Sequence, residues 1–240
     1  TRVLPLAAAQ LSVVFGESGE IDFTGVALAA REALGDPEPP TDLALALDYR
    51  IRHLLVDEFQ DTSMSQFELL ERLTAGWAPG DGRTLFAVGD PMQSIYRFRE
   101  AQVGLYLKAR NDGLGSVPLE PLTLRSNFRS RAGIVAWVNA TFPGVFPGHE
   151  DIGTGAVPYS PAAAVLPAEE TEPVVIHPVI GDDREAEAAA VVEVVQQARG
   201  EGDVAVLVRS RSHAGEVMAH LAAAGVRPMA VELERLGQRP

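Results

Sequence analysis

His53-Leu54-Leu55-Val56-Asp57-Glu58-Phe59-Gln60-Asp61 is a short apolar run that ends in two adjacent carboxylates. A run this short, followed at once by polar residues, reads as a parallel strand buried on both faces. Ligands of open α/β sheets sit beyond the carboxyl ends of such strands, so the two acids fall where a nucleotide would be held. One carboxylate can carry Mg²⁺, directly or through water, at the β- and γ-phosphates. Its neighbour can polarise a water for in-line attack. The same pair also suits an acidic turn before a helix, because carboxylates favour a helix N-terminus. The run alone does not choose between these readings.

The flanking sequence supplies the elements of an α/β fold. Residues 1–50 read as mostly helical, with Val26–Leu34 rich in Ala and Leu. Gly35-Asp36-Pro37-Glu38-Pro39-Pro40 breaks that helix, and another spans about residues 41–51. After the acids, Ser63 with Gln66 three positions on forms a capping box. Phe67, Leu70 and Leu73 line one face of the helix it opens. Leu85–Val88 is a second buried strand ending at Gly89-Asp90, and residues 103–110 form a helix. Residues 119–124 read as a third strand, and Ser130 as the cap of a helix carrying Ile134, Val135 and Val138. Pro143–Pro173 is rich in Pro, Gly and Ala and reads as a long loop. Beyond it, strands at 174–179, 204–208 and 226–231 alternate with helices at 184–199 and 214–224, the latter stopped by Gly225. Continuous apolar strands alternating with helices mean α/β with parallel sheets.

Two further stretches carry chemistry. Val88-Gly89-Asp90-Pro91-Met92-Gln93-Ser94-Ile95-Tyr96-Arg97-Phe98-Arg99 follows a buried strand and so reaches the same edge as the acids. Gln93 can hydrogen-bond a phosphate oxygen or a water. Aromatics interleaved with Arg, as in Tyr96 to Arg99, suit single-stranded nucleic acid, where bases stack and guanidiniums meet phosphates; two core aromatics in a turn give the same pattern. In Leu124-Arg125-Ser126-Asn127-Phe128-Arg129-Ser130 an Arg can meet charge developing on a γ-phosphoryl group. That stretch also reads as a basic turn before a helix.

The phosphate-binding half of a nucleotide site is not evident. Such a loop needs a Gly-rich turn followed by Lys, and the one Lys of the 240 residues is Lys108. Gly80-Asp81-Gly82-Arg83-Thr84 echoes the motif, but it precedes a strand, has Arg for Lys, and has Trp77 where the first Gly belongs.

Composition narrows the rest. There is no Cys, which excludes disulfides, thiolate zinc sites and cysteine nucleophiles. The five His are scattered and suggest packing or surface roles rather than a metal. No apolar run approaches the ~20 residues of a membrane span, and a cytoplasmic location is expected. The net charge of -13 argues against a nucleic-acid coat. Even so, residues 90–131 hold seven basic side chains against four acidic ones, a local strip suited to a polyanion in one cleft.

The motifs in this order resemble the superfamily-one DNA helicases of the UvrD/Rep and RecB/AddA kind, over roughly residues 50–235. Leu55–Thr62 looks like their motif II, Val88–Arg99 like motif III and Asn127–Ser130 like motif IV. Val204-Ala205-Val206-Leu207-Val208-Arg209-Ser210 looks like the next strand motif. Pro91–Arg99 leans toward the RecB/AddA branch, whose members pair a helicase with a distant nuclease domain. The resemblance implies RecA-like P-loop NTPase motor folds, present as parts of two domains: residues 1–118 the closing part of the first and 119–240 the opening part of the second.

By matching position, the resemblance implies that Asp57 coordinates Mg²⁺ and Glu58, also near the metal, activates the attacking water. Gln93 contacts the γ-phosphate, Arg129 is the arginine finger, and Phe128 stacks near the adenine. Arg99 links the nucleotide and DNA sites, Tyr96 and Phe98 stack on single-stranded bases, and Arg209 is a weaker candidate for a DNA backbone contact. The implied cofactors are ATP and Mg²⁺. The implied partners are single- and double-stranded DNA, with a nuclease domain or partner subunit.

The chain departs from the family in having no P-loop and no late motifs. It lacks an initial Met, and by the resemblance Ala230–Leu236 is expected to stop in mid-domain. The expectation is therefore an internal piece of an ATP-dependent helicase, translocating 3′ to 5′, inactive by itself. Two other readings remain: a helicase-like interaction or DNA-binding module that has lost its ATP site, and a P-loop NTPase that does not bind DNA.

Overall fold

The computed structural model describes residues 3–36, 40–96, 102–181, 183–200 and 202–229. Three helices lead into the first strand: α1 (Val3–Ser18), α2 (Phe23–Leu34) and α3 (Asp42–Arg50). The Asp22 carboxylate caps α2 by accepting from the Gly25 amide at 2.6 Å. Thr41 caps α3 by accepting from Ala44 at 3.1 Å. Each satisfies an amide that a helix start leaves unpaired. α1 is largely apolar and buries none of its residues. No helix among the described residues is long and apolar enough to cross a membrane.

The chain then runs through β1 (His53–Val56), α4 (Met64–Leu73) and β2 (Thr84–Ala87). The two strands pair in parallel, Leu54 opposite Leu85 and Val56 opposite Ala87. The expected capping box opens α4: the Gln66 side chain accepts from the Ser63 amide at 2.9 Å, and the Ser63 hydroxyl accepts from the Gln66 amide at 3.4 Å. After it comes α5 (Val103–Asp112). Phe59, Phe67, Leu105, Ala109 and Leu114 form the core here, with Val56, Leu70, Leu85 and Ala87 packed on it.

Only one face of this sheet is covered among the described residues. Leu55 is 74% exposed and its neighbour Phe86 55%. This corrects the expectation of strands buried on both faces. Alternate residues of a strand point to opposite faces, and α4 and α5 cover the face of Val56, Leu85 and Ala87.

A second parallel pair follows, β3 (Ser126–Arg131) with β4 (Ala163–Leu166), joined through α6 (Ala132–Thr141). The strand expected at 119–124 does not form; pairing begins later, where Ala163 donates its amide to the Arg125 carbonyl at 2.7 Å. An extended segment with no neighbouring ladder leaves its backbone groups to water. The expected Ser130 cap is also corrected. Arg131 takes the cap position of α6 without a side-chain capping bond, while the Ser130 amide donates to Asn127 Oδ1 at 2.8 Å. Within the expected loop of 143–173 lie β4 and a turn closed by reciprocal Asp151–Ala156 bonds of 3.0 Å. Asn139 of α6 ties down the approach to β4: its Oδ1 accepts from the Tyr159 hydroxyl at 2.6 Å and from the Ala162 amide at 3.1 Å.

The chain divides into two compact units, one ending at Pro173 and one beginning at Val174. In the second, α7 (Arg184–Ala198) packs on α8 (Arg211–Ala223) through Ala188, Val195, Val217 and Leu221. Gly225, at φ 74°, ends α8 as expected; its amide donates to the Ala222 carbonyl at 3.0 Å and that of Val226 to Leu221 at 2.9 Å. The strands expected at 174–179 and 204–208 do not form, nor does one at 226–229, and residues 230–231 lie outside the described residues. Apolar content alone does not make a strand; a partner must lie beside it, and none does among the described residues.

Candidate functional site

β1 and β2 end level, because their register has no slip from His53–Thr84 to Val56–Ala87. The loops that follow them leave the same edge of the sheet. Backbone bonds stitch these loops together: Val88 donates to the Val56 carbonyl, and Phe59 to the Val88 carbonyl, each at 2.8 Å.

Asp57 and Glu58 occupy the first loop, both exposed. The Glu58 amide donates to Asp57 Oδ1 at 2.9 Å. Glu58 has φ 50° and ψ 42°, the one non-glycine residue in the left-handed region among the described residues. That conformation costs roughly 1–2 kcal/mol for a residue with a Cβ. Such strain persists only where the surroundings over-determine it, and here two neighbours do. Phe59 is buried against Phe67 and Tyr106, with ring centroids 6.3 and 6.2 Å apart. Gln60, 1% exposed, donates through Nε2 to Glu58 Oε2 at 2.7 Å. Its Oε1 accepts from the Asp90 amide at 3.0 Å. The amide orientation follows from its partners, since a carboxylate can only accept and a backbone N–H can only donate.

The second loop is built around Asp90. Its Oδ1 accepts from the Met92 amide at 2.9 Å and its Oδ2 from Gln93 Nε2 at 2.7 Å. Ser94 donates to Asp61 Oδ1 at 3.1 Å, a second side-chain tie between the loops. Gly89 makes the approach sterically possible: a Cβ there would lie 2.6 Å from Gln60 Oε1 and 3.1 Å from the Phe59 and Gln60 amide nitrogens.

Of the candidate residues, Asp57, Glu58 and Gln93 thus share one edge. Tyr96 closes the described run and is about one-third exposed. Arg97, Phe98 and Arg99 lie outside the described residues. Phe128 and Arg129 sit on β3; Phe128 is 71% exposed and Arg129 exposed, with the Arg129 amide held by Asn127 Oδ1 at 3.0 Å. Arg209 is exposed in the second unit, next to Ser210, which caps α8. Nothing in the spacing singled out Gln60. The available signal was a long amide placed straight after the buried aromatic of an acidic loop, where it must point inward and find polar partners.

Other charged groups are engaged elsewhere. Lys108 lies on α5 with its ammonium 5.4 Å from the Phe67 ring centroid. Arg83 of the glycine-rich echo pairs with Asp48 and Asp81 and lies over Trp77. His213 meets Glu187 Oε2 at 2.9 Å, across α8 and α7. No group of three or more His, Asp or Glu among the described residues can hold a metal unaided. Asp57 offers hard oxygen donors on an exposed loop. That suits Mg²⁺, which takes one or two carboxylates and completes its shell with phosphate and water.

Comparison with known proteins gives a concordant result. Residues 6–113 match the UvrD/REP helicase N-terminal domain. The A-subunit of the ATP-dependent helicase/nuclease of Desulfitobacterium hafniense (strain DSM 10664 / DCB-2) is 32% identical over 207 residues, 76% of this chain and 14% of the relative. The protein of the same name from Pelotomaculum thermopropionicum is 37% identical over 132 residues, 52% of this chain and 10% of the relative. That from Moorella thermoacetica is 40% identical over 130 residues, 53% of this chain and 9% of the relative. The chain therefore spans about a seventh or less of the length of these relatives.

Proposed function

We propose, from the match of residues 6–113 to the UvrD/REP helicase N-terminal domain, that the chain is the central part of an ATP-dependent DNA helicase. The observation that supports this most directly is the level ending of β1 and β2, which puts Asp57, Glu58 and Gln93 on one edge. We assign residues 1–118 to the closing part of a first RecA-like motor domain and 119–240 to the opening part of a second. This division is functional and distinct from the compact units that meet at Pro173.

In this reading Asp57 holds Mg²⁺ at the phosphates of ATP, where the ion offsets their charge. Glu58 accepts a proton from the attacking water, and Gln93 hydrogen-bonds a γ-phosphate oxygen, its other contact being the Asp90 carboxylate. Arg129 meets the charge that develops on the γ-phosphoryl group. Phe128 stacks near the adenine and Arg99 links nucleotide to DNA. Tyr96 and Phe98 stack on bases, and Arg209 meets the DNA backbone. Hydrolysis drives translocation 3′ to 5′, in DNA repair or recombination in the cytoplasm. The relatives are named as one subunit of a helicase/nuclease, which supports a nuclease domain or a partner subunit for the longer protein.

The test is ATP hydrolysis. In the longer protein we expect turnover stimulated by single-stranded DNA, lost in Glu58→Gln, with the stimulation weakened in Tyr96→Ala and Phe98→Ala. Purified residues 1–240 should hydrolyse no ATP, because the one Lys is placed on α5 over Phe67. Strong Mg²⁺-dependent turnover by residues 1–240, abolished by Glu58→Gln, would sink that expectation. A helicase-like module that has lost its ATP site predicts no turnover in the longer protein either.

A further inference from the structure

Among the described residues of the strand-end loops, Gln60 is the most deeply buried polar side chain, 1% exposed, and it bonds both loops at once. Its Nε2 reaches Glu58 Oε2 at 2.7 Å, its Oε1 takes the Asp90 amide at 3.0 Å, and Asp90 in turn receives Gln93 Nε2 at 2.7 Å. The chain Glu58–Gln60–Asp90–Gln93 therefore runs unbroken across the site from the β1 side to the β2 side. Glu58 stands in a left-handed backbone, and its exposed carboxylate is held by the buried Gln60 amide. Gly89 leaves room for Gln60 Oε1 and for nothing larger than a hydrogen at that point.

We propose that Gln60 is a positioning residue that sets the Glu58 carboxylate against the Asp90–Gln93 loop, so that the two sides of the site move as one. Its primary amide is the group this requires: it donates to a carboxylate and accepts from a backbone N–H in a single planar unit. Gln60 itself touches no nucleotide. A shift of Gln93 on meeting a γ-phosphate passes through Asp90 and Gln60 to Glu58. The inference rests on the helicase reading above.

The experiment uses the longer protein carrying this chain and compares Gln60→Met, Gln60→Glu, Glu58→Gln and Gln60→Met/Glu58→Gln in DNA-stimulated ATP hydrolysis. Met keeps the length and volume and removes both bonds. Glu keeps the acceptor for Asp90 and replaces the donor to Glu58 with a repelling carboxylate. We expect kcat to fall about 10- to 100-fold in each Gln60 variant, as when an outer partner of a catalytic group is removed. KM for ATP and affinity for single-stranded DNA should stay within about twofold. The double variant should be no slower than Glu58→Gln alone, because residues acting as one unit are non-additive.

Wild-type kcat in either Gln60 variant overturns the proposal. So does a loss in the double variant equal to the product of the two single losses, which is what general loosening of the fold gives. Should Gln60→Met not accumulate as folded protein, Gln60→Glu carries the same comparison. If Glu58→Gln itself hydrolyses ATP normally, the helicase reading falls; if Glu58→Gln is dead and the Gln60 variants are normal, the positioning role falls alone.

Discussion

At the scale of single residues, the backbone of Glu58 separates stability from function. Its φ of 50° disfavours any residue with a Cβ. Replacing it by Ala and by Gly removes the same carboxylate and the same bond to Gln60, and the two replacements differ only in the backbone. Glu58→Gly is therefore expected to be more stable than Glu58→Ala by about 1 kcal/mol, even though Gly is normally the more costly residue in a folded chain. Urea denaturation midpoints of the two variants check this. Equal midpoints, or Ala the more stable, would show that the left-handed geometry is not a source of strain. The sequence showed Asp57 and Glu58 as a pair but held no sign that Glu58 is strained. That strain arises because the chain must turn at once to bury Phe59, and burial is a tertiary fact.

At the scale of elements, most helix ends were legible, though Ser130, read as a cap, is not one. Thr41, Ser63 and Gly225 sit where their helices start and stop, because capping is a local interaction between neighbouring positions. Strands were legible only where a partner exists: β1 and β2 formed close to where they were read, though with one face exposed, while 119–124, 174–179 and 204–208 did not form. Strand pairing depends on residues far away, which an apolar run does not reveal. The segment 150–156 was likewise invisible in advance. Arg110 of α5 pairs with Glu150 and holds its carboxyl below the usual range. The Gly153 and Thr154 amides donate to Asp151 and lower it as well. A depressed carboxyl adds stability above its unfolded value, and that stability is lost as pH falls through the folded value. With unfolded carboxyls near ~4, the turn holds at pH 5 to 7 and loosens below pH ~4. Hydrogen exchange of the Gly153 and Thr154 amides, corrected for intrinsic rate, should speed up over that acid window and stay flat above it. Flat protection down to pH ~2 would mean that neither carboxylate holds the turn.

At the scale of the whole molecule, the chain runs exposed from one compact unit to the next. Val175, Ile176 and Ile180 are apolar and largely exposed just past Pro173. Exposed chain outside regular elements is where proteases cut first. Brief thermolysin digestion should cleave within 174–181 before it cuts β1, β2 or α4, and mass spectrometry of the products reads the site. First cuts inside 53–87 would contradict the two-unit division.

One consequence follows from the parallel ladder of β1 and β2, whose paired ends, His53 and Thr84, lie 31 positions apart. A parallel pair cannot zip up from a hairpin. The intervening chain must first close into a loop, and that entropy is spent before the first ladder bond rewards it. Asp57 and Gln93 therefore have no early encounter in which to meet. Their neighbourhood comes into being only when α4 has docked and Phe59 is enclosed. Changes that slow the docking of α4 should delay the appearance of the strand-end geometry by the same factor, so that refolding followed at Trp77 and at the site would give one rate.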